Sequence, residues 1–134
     1  MGINYFRRDD RDAKFVLFEA LDMDKLLSYE AYQDFSADDF NMIIDESIKF
    51  CREVLGPTNQ DGDRIGCVYK DKTVTTPDSF KEAWKLMGEN GWIAMSVDPQ
   101  YGGQGLPAVL AGICGEFFVG ANMEIGRASC RERV

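Results

Sequence analysis

A chain of 134 residues, 45% of them apolar, is long enough for about one domain with a single modest core. Its formal net charge of −8 disfavours a nucleic-acid partner, because such proteins carry a basic surface. It has no histidine and no CxxC pair among its four cysteines, which excludes Ser-His and Cys-His nucleophiles and disfavours a zinc site. With no apolar run of about 18 residues and no signal-peptide pattern, the sequence predicts a cytoplasmic protein without a membrane span.

The first half of the chain is predicted to be mainly helical. Residues 1–35 are interpreted as an N-terminal extension, with helical turns at 13–22 and 25–32. The clearest helix begins at Ser36, a good N-cap, because apolar residues then recur at three- and four-residue steps as far as Leu55. Gly56-Pro57 is predicted to end this helix, and residues 58–66 are predicted to form a polar loop.

The second half continues the same architecture. Residues 67–75 predict a small hairpin, and a helix is expected from Thr76-Pro77 to Asn90-Gly91. An apolar connector at 92–96 and a last helix from residue 108 follow. The fold class predicted is therefore all-α: a bundle of four to five helices with one short extended excursion. The helical domain is assigned to residues 36–123 and is expected to be truncated.

A glycine-rich segment, DPQYGGQGLP at residues 98–107, joins the connector to the last helix. Glycines at this density indicate positive φ or the close approach of another group. The spacing Gly103-x-Gly105-x-x-Ala108 also fits a dinucleotide-binding fingerprint, which needs a βαβ unit. Because the chain offers no second strand for such a unit, we favour a tight loop that leads into a helix over an NAD site.

Candidate metal and catalytic residues are each weaker than their structural alternative. Asn59, Asp61 and Asp63 have the spacing of an EF-hand loop, but Arg64 and Lys70 stand where that loop needs glycine and a closing glutamate. Nothing marks one glutamate as a buried general base. The sequence therefore predicts no metal site and no catalytic residue in this chain; the glutamates considered were Glu30, Glu46 and Glu116.

The aromatic residues are predicted to form core rather than a cofactor pocket, although two of them lie close in sequence to the glycine-rich segment. This follows from their helical spacing and from the shortage of polar groups around them. The set comprises Phe80, Trp84, Trp92, Phe117 and Phe118.

The last residues, 124–134, differ from the rest of the chain. They have no helical apolar period and carry three arginines. Translating a common sequencing-adapter read-through gives the same residues in the same order. We therefore expect a non-native tail, with the gene product represented only to about Met123. A genuine disordered basic tail is the alternative.

Several segments, in order, resemble the N-terminal part of the acyl-CoA dehydrogenases over residues 15–123. They are FVLFE with LD (15–22), VLGPTN (54–59), GD to GC (62–67), VTTP (74–77), DPQYGGQGLP (98–107) and GANM (120–123). The chain is similar to the long branch of that flavin-dependent family, which includes 3-(methylthio)propionyl-CoA dehydrogenase. Lys72 departs from the family pattern, which leads us to expect glycine in the small turn.

The resemblance implies an N-terminal helical domain, followed in the family by a middle β-domain and a C-terminal four-helix bundle. FAD lies at the junction of the three domains. A glutamate from the C-terminal half removes the α-proton of an acyl-CoA thioester, and the β-carbon gives a hydride to the flavin N5. Since this chain carries neither those domains nor that glutamate, we expect it to be inactive alone and not to hold FAD.

The same resemblance suggests which residues face the ligands. Phe118, Asn122 and Met123 would lie near the acyl chain, and the loop Tyr101, Gly102, Gly103, Gln104 and Gly105 would lie near the domain junction. The parent would bind an acyl-CoA substrate, pass electrons to an electron-transfer acceptor and form a homo-oligomer. The alternative is a stand-alone helical binding or interaction module.

Overall fold

The computed structural model describes residues 4–131, without the side chains of residues 129–131. Helices dominate this range, and its single sheet is a two-stranded hairpin. The predicted all-α fold class is therefore confirmed. Residues 1–3 of the predicted extension and 132–134 of the predicted tail lie outside the described residues.

The N-terminal extension forms short helical segments. Helix α1 (Arg11–Lys14) continues directly into a wider, π-helical stretch at Phe15–Ala20, and α2 (Met23–Leu27) precedes a 3-10 turn at Glu30–Tyr32. Leu17 and Met23 are fully buried, so burial of one apolar side chain from each segment ties the extension to the core. The helical turns predicted at 13–22 and 25–32 are confirmed, the second with a break after Leu27.

Helix α3 (Ala37–Phe50) begins where the sequence predicts, at Ser36. The Ser36 hydroxyl oxygen accepts from the Asp39 backbone N–H at 3.2 Å, and the Asp39 carboxylate accepts from the Ser36 N–H at 2.8 Å. This reciprocal pair satisfies two backbone donors at the helix start. The hydrogen bonds from Ser36 also hold the pKa of the Asp39 carboxyl below its usual value.

The helix does not end at Gly56-Pro57, so that prediction and the polar loop predicted at 58–66 are wrong. Instead α3 passes into a π-helical turn at Cys51–Leu55 and then into α4 (Gly56–Ile65). The Gly56 N–H donates to the Cys51 carbonyl five residues back. The wider turn removes the clash that a proline ring makes with the preceding turn of an α-helix, so the chain continues through Pro57.

The predicted hairpin is present. Strand β1 (Val68–Lys70) pairs antiparallel with β2 (Thr73–Thr75), and Tyr69 faces Val74. Both turn residues lie in the left-handed region, Asp71 at φ 51° and Lys72 at φ 63°. A two-residue turn of this kind favours glycine at its second position. Lys72, which departs from the expected glycine, therefore adopts a strained backbone conformation.

Replacing Lys72 with glycine is expected to stabilise the hairpin by up to about 1 kcal/mol, because glycine adopts positive φ without steric strain. Hydrogen exchange of the Val68–Lys70 and Thr73–Thr75 amides measures the change. Lys70→Gly, on the paired strand, is the control and should reduce protection. Equal protection in wild type and Lys72→Gly would contradict the strain argument.

The rest of the bundle follows the predicted order. Helix α5 (Asp78–Glu89) starts one residue after its N-cap Pro77, and 3-10 turns occupy Trp92–Ala94 and Pro99–Tyr101. Helix α6 (Ala108–Ala121) packs on α3 and on the π-helical turn at Cys51–Leu55. The core lies between these helices; its members on α3, the π-helical turn and α6 are Phe40, Ile44, Ile48, Phe50, Cys51, Leu55, Leu110, Cys114, Phe117, Phe118 and Ala121.

Residues 124–131 are helical, so for them the expectation of no helical period and little to pack is wrong. Helix α7 (Met123–Arg131) packs along α6 and also meets α4 and α5. Ile125 is buried within the core. An added Cβ on Gly126 would lie 2.6 Å from the Phe118 carbonyl carbon, so the two helix backbones approach very closely. The non-native origin of residues 124–134 stays a prediction.

Candidate functional site

The glycine-rich segment is a tight loop held by its own backbone. The Asp98 carboxylate accepts from the Gln100 N–H at 2.8 Å and starts the 3-10 turn, and Gly102 ends that turn at φ 82°. Residues 104–106 then fold back on the connector. The Gln104 N–H donates to Ala94 O at 3.1 Å. The Gly105 N–H donates to Val97 O and the Leu106 N–H to Met95 O, both at 2.9 Å. The loop predicted from the glycines is therefore present.

Each glycine of the loop has a separate role. An added Cβ on Gly103 would overlap the backbone carbonyl of Val97, whereas one on Gly102 would meet open space. Gly105 takes φ 65°. The side chain of Gln104 reaches back to donate to Gly91 O at 2.9 Å. The aromatic side chain of the loop, Tyr101, is 78% exposed.

The loop amides leave no donor for a phosphate. Every backbone N–H from Gln100 to Leu106 donates to an acceptor within the chain. A dinucleotide-binding loop needs free N–H groups aimed at the pyrophosphate. The connector that precedes the loop is also a 3-10 turn rather than a strand. The geometry therefore argues against the NAD fingerprint, and the loop alone does not fit the phosphates of FAD.

The predicted acyl-chain residue Phe118 lies in an aromatic cluster on the inner side of α6. Its ring centroid is 5.5 Å from that of Trp92 and 6.3 Å from that of Phe50, both with edge-on geometry. The side chain is 2% exposed. Within the described residues, Nε1 of Trp92 is buried and finds no hydrogen-bond partner. Of the aromatic set predicted to be core, Phe80, Phe117 and Phe118 are buried, whereas Trp84 and Trp92 are partly buried and pack against the core. The Trp92 donor is the unsatisfied group of the cluster.

Asn122, one turn beyond Phe118, is buried and makes three side-chain hydrogen bonds. Its Nδ2 donates to Thr58 Oγ1 at 2.9 Å, and its Oδ1 accepts from the N–H groups of Glu124 and Ile125 at 3.0 and 3.1 Å. Thr58 in turn donates to Leu55 O at 2.7 Å. The amide therefore caps α7 and joins the end of α6 to the start of α4.

Thr58 is a site residue that sequence reasoning missed. It lies in VLGPTN and Asn122 in GANM, so two of the segments that carry the resemblance meet through this hydrogen bond. The one local signal is a hydroxyl placed three residues after Leu55, within reach of its carbonyl on a helix. That signal could be recognised only if the helix were known to continue through Pro57.

The structure brings some of the predicted site residues together and separates others. Phe118 and Asn122 lie on the same end of α6, both buried, while Met123 is 59% exposed at the start of α7. Phe118 lines a cavity of about 300 Å³ beside Trp92. Gln104 and Gly105 line a different groove, of about 400 Å³, beside Tyr32. The loop and the α6 end therefore border different surfaces.

None of the three glutamates considered as a general base is buried. Glu30, Glu46 and Glu116 are exposed, and Glu116 forms an ion pair with Arg8. Within residues 4–131 no group of histidine, cysteine and carboxylate side chains is arranged to hold a metal ion. Asn59, Asp61 and Asp63 lie on α4, which replaces the loop that an EF-hand requires.

Two buried thiols lie near each other, that of Cys51 at the start of the π-helical turn and that of Cys114 on α6. Burial raises the pKa of Cys51 to about 12, with the nearby Cys114 thiol adding to the shift, and burial raises the pKa of Cys114 to about 11. Both therefore stay neutral at physiological pH. They are poor nucleophiles, because the thiolate is the reactive form.

We expect an alkylating reagent to label Cys67 rapidly in the folded chain while Cys51 and Cys114 stay unmodified, because only Cys67 of these three is exposed. Peptide mass mapping after a short exposure measures each site separately. The same experiment in denaturant is the control, and there all three should react. Early labelling of Cys114 would show that the α3–α6 contact opens readily.

Comparison with known sequences gives the family. The family described as "Acyl-CoA dehydrogenase, N-terminal domain" matches residues 37–130, well over half of the chain. The chain belongs to the acyl-CoA dehydrogenase family. The resemblance found in the sequence is confirmed, and the matched range includes α3 to α6, the glycine-rich loop and most of α7.

Relatives of this acyl-CoA dehydrogenase domain are enzymes of greater length. A butyryl-CoA dehydrogenase of Syntrophomonas wolfei is 39% identical over 106 residues, which are 76% of this chain and 17% of that protein. A broad-specificity linear acyl-CoA dehydrogenase of Mycobacterium tuberculosis is 30% identical over 90% of this chain and 20% of its own length. A 3-methylmercaptopropionyl-CoA dehydrogenase of Ruegeria pomeroyi is 27% identical over 87% of this chain and 20% of its own.

The acyl-CoA dehydrogenase relatives named here are therefore matched over a fifth of their length or less. The match covers the N-terminal domain of the family. No helix among the described residues is long and apolar enough to cross a membrane.

Proposed function

We propose that this chain is the N-terminal helical domain of a flavin-dependent enzyme that dehydrogenates the Cα–Cβ bond of an acyl-CoA thioester. The family match carries the proposal. The domain supplies a wall and not the reacting groups, since its candidate carboxylates are exposed and its loop amides are all occupied. In the family FAD supplies the oxidising chemistry, and we expect the remaining domains of the parent to be needed to hold it.

Within that enzyme, the end of α6 is proposed to border the acyl chain. Met123 would offer its exposed side chain to the substrate, while buried Phe118 and Asn122 would hold the helix end in place. The loop from Tyr101 to Gly105 is proposed to lie at the domain junction. Its exposed Tyr101 and otherwise self-satisfied backbone support a packing surface there, rather than a phosphate site.

The test compares two methionines of equal exposure in the full-length protein recovered from the source DNA. Met123→Ala should change the ratio of kcat/KM values for long and short acyl-CoA thioesters by roughly tenfold, the range expected when apolar pocket contacts change. Met42 on α3 is also 59% exposed, and Met42→Ala should leave the ratio unchanged. Equal ratios in both variants would remove Met123 from the substrate site.

The origin of residues 124–134 needs a separate experiment, and we expect them to derive from a sequencing adapter. Amplifying and sequencing the source DNA across the Met123 codon tests this directly. A reading frame that continues with different residues supports the dehydrogenase parent and the domain limits 1–35 and 36–123. A confirmed tail and stop codon would favour the stand-alone helical binding module. The packing of α7 on α6 would then be part of its native fold.

The proposed parent is a cytoplasmic homo-oligomer that uses an acyl-CoA substrate and passes electrons to an electron-transfer acceptor. Free Cys51, Cys67 and Cys114 support a reducing compartment. Exposed apolar side chains support contacts with further protein surfaces, since soluble proteins usually cover such residues when they cluster. These side chains include Tyr5, Phe15, Val16, Leu21 and Met42.

A further inference from the structure

The N-terminal strap, defined as residues 4–10, crosses the bundle before α1 begins. Its first described residue, Asn4, contacts the π-helical turn of the long helix, defined as the continuous helical segment from α3 through that turn to α4. Asn4 Nδ2 donates to Arg52 O at 2.6 Å, and Oδ1 accepts from the Phe6 N–H at 3.0 Å. One side chain thus joins two parts of the chain that are 48 residues apart and also shapes the strap itself.

The π-helical turn is suited to receive this side chain. Pro57 has no N–H, so it cannot donate to the carbonyl five residues back, which is that of Arg52. Asn4 supplies the missing donor. Gly56 makes the approach possible: an added Cβ there would lie 2.9 Å from Cγ of Asn4 and 3.0 Å from the Cys51 carbonyl oxygen. The absent Cβ and the absent N–H together form a notch that an asparagine side chain fits.

Further along, the strap is held mainly by exposed contacts. Arg8 pairs with Glu116 of α6 and lies 5.7 Å from the Phe117 ring, while Lys14 at the end of α1 reaches Asp45 of α3 at 2.8 Å. The Arg8 and Glu116 side chains are 48% and 60% exposed, and exposed ion pairs contribute little to stability. Phe6, which is 9% exposed, is the one apolar anchor of the strap.

We propose that the strap is a latch across α3 and α6. It is closed when Asn4 fits into the Gly56-Pro57 notch, and it can open while the core stays folded. A pocket of about 350 Å³ lies between the strap and α3, lined by Arg8, Asp45, Ile48 and Arg52 among others. The strap has few buried contacts, so its opening requires less free energy than global unfolding. Opening would uncover the Arg52 carbonyl and the outer side of Ile48.

The notch variants test the latch by trypsin cleavage after Arg7 and Arg8, both exposed residues of the strap. Gly56→Ala and Asn4→Ala should each speed this cleavage roughly tenfold, because cleavage follows the population of the open form. Cleavage after Lys81 and Lys85, exposed residues of α5 away from the notch, should remain at the wild-type rate and so report that the core is intact.

Gly120→Ala is the matched control. Gly120 is an exposed helical glycine, and a Cβ there meets nothing within 4 Å, so strap cleavage should not change. Since Asn4 lies at the surface end of the strap, Asn4→Ala keeps the test valid if Gly56→Ala fails to fold. Wild-type cleavage of the strap in both notch variants would overturn the latch. A parallel acceleration after Lys81 and Lys85 would also overturn it, because the strap would then open only with the core.

Discussion

Replacing Gly103 with alanine is expected to lower the free energy of unfolding by roughly 3 kcal/mol or more, among the largest effects of a single substitution. The added Cβ would overlap the carbonyl group of Val97. Backbone atoms cannot rotate away as the end of a side chain can, so the loop itself would have to move. That movement would break the hydrogen bonds from Gln104 to Ala94 and from Gly105 to Val97.

The neighbouring glycine is the control for this prediction. Gly102 lies at φ 82° with open space around its Cα, so Gly102→Ala should cost only the strain of the left-handed region, about 1–2 kcal/mol. Chemical denaturation followed by circular dichroism measures both variants, and an unchanged slope shows that the midpoints are comparable. If Gly103→Ala costs no more than Gly102→Ala, the contact with Val97 does not determine the stability of the loop.

These two glycines show how far sequence reasoning reaches. Their density predicts a tight loop, and a tight loop is present. Which glycine is contacted depends on the path of Val97 in space, which no local pattern specifies. By contrast, the start of α3 depends on Ser36 and Asp39 alone, three residues apart, and could be predicted in full. Lys72 in the hairpin turn is identified through the family resemblance, and its positive φ is consistent with the glycine expected there.

The failed prediction at Gly56-Pro57 has a non-local cause. Stop signals for helices describe a local chain, in which a proline leaves carbonyl groups without donors. Here the donor for Arg52 comes from Asn4, far away in sequence, and the wider turn removes the steric clash. Tertiary contacts therefore outweigh the local helix stop signal at Gly56-Pro57.

The candidate site was predictable only in part. The resemblance identified the family and pointed to the end of α6. It could not show which residues there face inward: helical spacing predicts Phe118 as core, but Asn122 and Met123 lie where α6 ends, and no helical period assigns them to a face. Phe118 and Asn122 proved buried and Met123 exposed. Their roles toward a substrate remain predictions.

Replacing Asn122 with alanine is expected to cost about 2–4 kcal/mol, because several buried groups lose their partners at once. The N–H groups of Glu124 and Ile125 would lose the acceptor that caps α7, and the Thr58 hydroxyl would lose its donor. Water cannot easily replace the amide, since Asn122 is 1% exposed. Urea denaturation of the purified chain gives the change in unfolding free energy.

Two further variants separate the network from the general cost of losing an asparagine. Asn41, a partly buried residue on α3, hydrogen-bonds only to Ala37 O of its own helix, so Asn41→Ala should change stability by no more than about 0.5 kcal/mol. Thr58→Val removes the hydroxyl, whereas Thr58→Ser keeps it and should retain most of the stability. In a double-mutant cycle, Thr58→Val and Asn122→Ala should be clearly non-additive, because the two side chains share one hydrogen bond. Additive costs would mean that Asn122 acts only as the cap of α7, and the contact between the GPTN and GANM segments would then add nothing to stability.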